Sequence, residues 1–232
     1  MRHFTDEQLE EMGKLTRDLI KEAIDKGDLE RAKQLSDRMY REFSAMHDLY
    51  LYWITATLTH IGRNYGDQAL YQALKEGCAA WVLPLAQRYA AKDTKTKAEM
   101  LVAGLRGHLQ PLRVEEDDEK FTIYMQPCGS GGRLIINRAY QPPYSFLSIE
   151  EAQPMTYGRQ DFPVYCAHCP FEALLPIEAG LVPFAVTIPA GDLENEPCRV
   201  CLYKNAADIP SEVFEQAGLD RDEFIKKASS NK

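Results

Sequence analysis

Cys166-Ala-His-Cys169, answered by Cys198-Arg-Val-Cys201 with 28 residues between, is the stretch that sets the reading of this chain. Each is a C-x-x-C unit. The two-residue spacer lets both sulfurs of a pair turn toward one ion at about 2.3 Å, so two such units present four thiolates to one tetrahedral metal. The intervening segment is longer than the usual 15–20 residues. The competing reading is four ordinary buried cysteines, since free Cys is among the most buried residue types. The spacing favours a metal held by Cys166, Cys169, Cys198 and Cys201. Zinc suits such a sulfur set. An iron–sulfur cluster is the alternative, although cluster-binding chains tend to bunch three cysteines closely.

A closed four-cysteine site is structural, whereas a catalytic zinc keeps one position open for water or substrate. His168, Cys128 or Glu172 can stand in for one cysteine, and the sequence leaves that choice open.

Upstream lies Cys128-Gly-Ser-Gly-Gly-Arg133. Glycines let backbone N–H groups turn inward, and such a nest binds anions. Arg133 adds a bidentate partner for a carboxylate, so Ser130 and Arg133 are the expected substrate-binding residues. The loop is neither a P-loop nor a dinucleotide fingerprint. Its plain alternative is a hairpin turn, because β-rich runs flank it at Phe121–Met125 and Arg133–Asn137. Cys128 is then a metal ligand or a nucleophile activated by Arg133 or the metal. His168 is the expected proton carrier, making Cys128 and His168 the candidate catalytic pair.

The first half reads helical. Thr5-Asp-Glu-Gln8 forms a capping box, and Leu9, Met12, Leu15 and Leu19 follow at helical spacing. Gly27 and Asp28 stop one helix and start the next, from about Leu29 to Arg63, and Gly66 and Asp67 repeat the signal. A third helix passes through Leu70, Leu74, Cys78, Trp81, Leu85 and Tyr89, with a kink expected at Pro84. A fourth covers about Lys97 to Leu109. His47 and His60 stand roughly 220° apart around the second helix, so they share no metal-binding face.

Past Pro111 the period shortens. Strands are expected at Phe162–Tyr165, Val182–Ile188 and Arg199–Tyr203, and a helix at Phe171–Ala179 ending at Gly180. Two short tail helices start at Ser211 and Asp220, and Glu115–Glu119 is a solvated turn. The expected class is α+β. A helical region, 1–110, packs on a small, mostly antiparallel, metal-binding region, 111–232.

A net charge of −8 argues against a nucleic-acid partner, which needs a basic stripe. No apolar run is long enough to cross a bilayer, and Met1-Arg-His-Phe-Thr-Asp-Glu lacks the apolar core of a secretory signal. The expected address is cytoplasmic, where six Cys remain reduced as ligands or reactive thiols.

Tyr165-Cys-Ala-His-Cys-Pro-Phe171, with His47 to Trp53 and Gly66 on adjoining helices, resembles the L-2-amino-thiazoline-4-carboxylic acid hydrolase-like family. The second C-x-x-C is similar to four-vinyl-reductase-type sensor domains, which bind small aromatics beside a cysteine-held zinc. The first likeness implies a hydrolase of a small molecule, the second a binding module, and neither assigns catalytic residues. The expected function is a zinc-dependent hydrolase or lyase acting on a small anionic or aromatic molecule. The alternatives are a non-catalytic sensor with a structural zinc, and an iron–sulfur redox protein.

Overall fold

The computed structural model describes residues 2–230 and begins with α1, Asp6–Gly13, under the expected capping box. Thr5 Oγ1 accepts from the Gln8 N–H at 3.2 Å, and the Thr5 N–H donates to Gln8 Oε1 at 2.9 Å. The Leu9–Leu19 stripe does not form one helix. Lys14 and Leu15 turn extended after Gly13, a poor helix former, and α2 runs Thr16–Asp25. Leu9, Met12 and Leu15 consequently stay exposed, and α1 buries nothing. Gly27, at φ +74°, ends α2, and Asp28 Oδ1 caps the next helix by accepting from the Arg31 N–H at 3.0 Å.

That helix, α3, runs Leu29–Ala90, with one non-helical residue, Gly66, at φ +79° and ψ 176°. Two helical segments thus meet at a kink at Gly66, where the stop signal of Gly66 and the start signal of Asp67 are expected. Pro84 lies within the helix and the element continues past it.

The chain parts into two compact units between Tyr52 and Trp53, inside α3, whereas helix gives way to strand at Pro111. The first unit has a small core, Leu19 and Ala23 of α2 against Ala32 and Leu35 of α3.

In the second unit the Asp67–Ala90 part of α3 buries Leu70, Leu74, Cys78, Val82 and Ala86 at spacings of four. With α4, Thr94–Arg106, which Asp93 caps through the Thr96 N–H at 2.9 Å, it packs on one antiparallel sheet. The strands are β1 (Leu112–Glu116), β2 (Lys120–Met125), β5 (Val186–Ile188) and β6 (Cys198–Tyr203), in order β1-β2-β6-β5. Asp117 makes the acidic turn between β1 and β2, accepting from the N–H groups of Glu119 and Lys120 at 2.8 Å. A two-stranded ribbon pairs β3, Ser148–Ile149, with β4, Phe162–Pro163.

The β4 strand is shorter than expected, because a 3₁₀ turn over Val164–His168 takes up its continuation. The helix α6, Phe171–Glu178, ends as expected at Gly180, φ +74°. A second cluster closes the tail, where Phe214 of α7 (Ser211–Glu215) and Phe224 of α8 (Arg221–Ser230) meet Ile177 and Val186. The class is thus α+β with helices first and a small antiparallel sheet after. Among the described residues no helix is long and apolar enough to cross a membrane.

Candidate functional site

The Cys128–Arg133 loop joins a strand to a helix and is not a hairpin turn. Arg133–Asn137, expected as a strand, lies in α5, Gly131–Ile136, with Asn137 as its C-cap. The Arg133 N–H donates to the Cys128 carbonyl at 2.9 Å, and the Leu134 N–H to the Ser130 carbonyl at 3.1 Å. Leu134 is fully buried by this turn, so packing overrides the β preference of Ile135 and Ile136.

The glycines serve close approach. A Cβ on Gly129 would collide with the His108 carbonyl, and one on Gly131 would sit 2.5 Å from Cys166 Sγ. The Gly129 N–H donates to Gln110 Oε1 at 2.5 Å, and Gln110 Nε2 donates to the Leu105 carbonyl at 2.9 Å, pinning the loop to the end of α4.

Under this loop lies a cavity of about 390 Å³. Its thiols are Cys128 from the loop, Cys166 and Cys169 from the 3₁₀ turn and its cap, and Cys198 from the start of β6. The predicted Ser130 and His168 line it too. Two other predicted residues do not. Arg133 sits half-buried on α5, outside the cavity lining. Cys201 is also absent from the lining. On a strand, side chains three apart point to opposite faces, so Cys201 turns away from Cys198 toward Thr122 and Val186, its register partners. Its thiol is hydrogen-bonded with Thr122 and raised in pKa mainly by burial. Three of the predicted four thus line the cavity, with Cys128 as its fourth thiol.

His168 has a defined tautomer. Its Nδ1 lies 2.6 Å from the Tyr165 carbonyl, which can only accept, so Nδ1 carries the proton. In the neutral ring Nε2 then bears a lone pair, 3.7 Å from Cys169 Sγ. Beside it, burial pushes the Glu172 carboxyl up in pKa, while His168 and the Thr187 hydroxyl, which donates at 3.0 Å, hold it back. His108 Nδ1, also in the lining, is 2.7 Å from Ser130 Oγ, and Ser130 also bonds with Tyr165. Burial raises the Tyr165 hydroxyl, and the Ser130 bond moderates it.

Tyr157 occupies a left-handed backbone position, φ +55°. Among the described residues its hydroxyl, buried at the cavity, has no hydrogen-bond partner. An unsatisfied buried donor of this kind needs an explanation, and a bound ligand is one.

Electrostatically the thiols form one group. Burial pushes Cys166 and Cys169 well up, and their neighbours' negative charge adds to it: Cys128 and Cys198 for Cys166, and Glu172 first for Cys169. Burial thus favours the protonated form of Cys166 and Cys169, a preference that a nearby divalent ion would oppose. Among the described residues, no three His, Cys, Asp or Glu side chains are drawn together closely enough to hold a metal ion.

His108, Gln110, Tyr157 and Tyr165 escaped the sequence reading. Each is a single polar residue without a spaced partner, and only Tyr165, beside Cys166, had any local signal. His47 and His60 stay outside the cavity, on α3. No family model, curated protein or solved structure matches this chain.

Proposed function

We propose that the thiol-lined cavity is a small-molecule site that takes a zinc ion, and that the chain is a hydrolase or lyase. The observation carrying this is convergence. Three separate segments, around Cys128, Cys166 to Cys169 and Cys198, deliver four thiols to one cavity beside His168 and Glu172. The donor set fits a soft or borderline ion, and loading would require the sulfurs to move inward from their present positions. When bound, the metal supplies Lewis acidity and an activated water, provided one position stays open.

The chain's own residues supply the rest. His168 accepts a proton at Nε2, because its Nδ1 proton is committed to the Tyr165 carbonyl. Tyr157 donates to a polar atom of the ligand. The apolar wall formed by Ile135, Phe162 and Val200 excludes water and suits an aromatic or aliphatic body. A second reading, a non-catalytic binding module, draws on the Tyr157 hydroxyl alone, which recognises a ligand without chemistry.

The test is metal content of anaerobically purified protein and of protein dialysed against zinc. About one zinc per chain is expected. It should be lost in Cys128→Ser and Cys198→Ser and kept in Cys201→Ser. A folded chain that takes up no zinc, or equal loss in Cys201→Ser, would sink the assignment. A brown protein with visible absorption would favour the cluster instead.

A further inference from the structure

The α3 helix carries a stripe that its own unit covers only in part. Ala32 and Leu35 lie under Leu19 and Ala23 of α2. The cover reaches as far as Glu42, whose Oε2 accepts from Thr16 Oγ1, at the start of α2, at 2.6 Å. The stripe then continues through Met39, Phe43, Met46 and Tyr50, at spacings of four, three and four. That is the a/d period of a coiled-coil seam. Tyr40 and Leu49 flank it in the e and g positions. All six are 43–56% exposed. The far side of the same stretch is polar, with Arg38, Arg41 and Ser44.

We infer that this seam is the contact surface for a second copy of the same chain, seam against seam. Three observations select that occupant. The 4-3-4 period is complementary to itself, because knobs at a and d fit the holes of an identical helix. The exposed apolar area suffices for a dimer. Half of each large side chain comes to roughly 500–600 Å² per copy, or about 1,000–1,200 Å² in all, where a specific interface starts near 1,000 Å². Among the described residues the unit's core cluster is Leu19, Ala23, Ala32 and Leu35 with Ile20 packed against them, a small core for 52 residues. A second helix on the seam extends the cover that α2 begins, and a patch of this size left open invites association.

The test is the mass of the full chain in solution, by sedimentation equilibrium across a concentration series. Twice the 26.4 kDa chain mass is expected. The double variant Phe43→Glu/Met46→Glu should be monomeric, with at least a 100-fold weaker dimer, since it buries like charges against each other. The variant Phe43→Lys/Met46→Lys should also be monomeric. Mixing the two should restore a dimer, which a merely unfolded arm cannot do. Ala45→Glu, an exposed position roughly 120° off the seam, should leave the dimer intact. A monomeric wild type, a dimer that survives either double variant, or no restoration on mixing would each overturn the inference.

Discussion

Cys198 and Cys201 lie on opposite faces of β6, although the sequence presents them as a pair. Cys198 lines the cavity and accepts the Ala190 N–H at 3.4 Å. Cys201 is 2% exposed and sits between Thr122 and Val186 in register. The C-x-x-C spacing gathers two sulfurs only on a turn or helix, as it does at Cys166 and Cys169, and a pleated strand separates them. Cys128, which no spacing rule couples to the other three, is the fourth thiol lining the cavity.

Tyr157 makes a sharp prediction. Its hydroxyl is buried without a partner among the described residues, so Tyr157→Phe should leave the ligand-free protein as stable or more stable by about 1 kcal/mol. The same change should weaken any small molecule that occupies the cavity. Denaturant midpoints measure the first part. A loss of more than about 1 kcal/mol would mean that the hydroxyl has a bond after all.

The loop offers a contrast between two neighbours. Gly129→Ala pushes a methyl into the His108 carbonyl and should destabilise by about 1–3 kcal/mol, with loss of the Gln110 bond. Arg133→Ala should leave ligand affinity in the cavity within twofold, because Arg133 is outside the lining. Thermal melts report the first change and calorimetric titration the second. A large affinity loss in the Arg133 variant would restore the anion-clamp expectation.

Gly66 should be intolerant of side chains. At φ +79° and ψ 176° it occupies backbone space that is essentially glycine's alone, so Gly66→Ala should cost about 1–3 kcal/mol. Open space surrounds its missing Cβ, so strain, not collision, is the cause. A neutral melt would show that the helix can run through this position unbroken.

Cys78 provides the pH test. Burial, and secondarily Glu172, push its thiol up from the ordinary 9.0 to about 12. The thiolate is disfavoured in the folded chain, so unfolding is favoured as pH rises from about 9 toward 12, and below about 9 this group leaves stability unaffected. Cys78 should therefore resist alkylation at pH 8 while the protein is folded and react on denaturation, as read by mass spectrometry. Rapid labelling of the native chain at Cys78 would mean that this part of α3 opens.

What the sequence determined by itself is local. The caps at Thr5, Asp28 and Asp220 are legible because a cap is a contact between residues three apart, here with Gln8, Arg31 and Glu223. Phe121–Met125 and Arg199–Tyr203 are legible because β-rich runs sit between turn signals. The segment Arg133–Asn137 and the site were decided at longer range. Burial of Leu134 made a helix of an Ile-rich run, and the direction of a side chain on β6 chose Cys198 over Cys201. The same packing carried His108, Tyr157 and Tyr165 to one cavity. A sequence encodes hydrogen-bonding partners a turn away. Which face of a strand meets which loop depends on the free energy of the whole packed core, and no short motif records that.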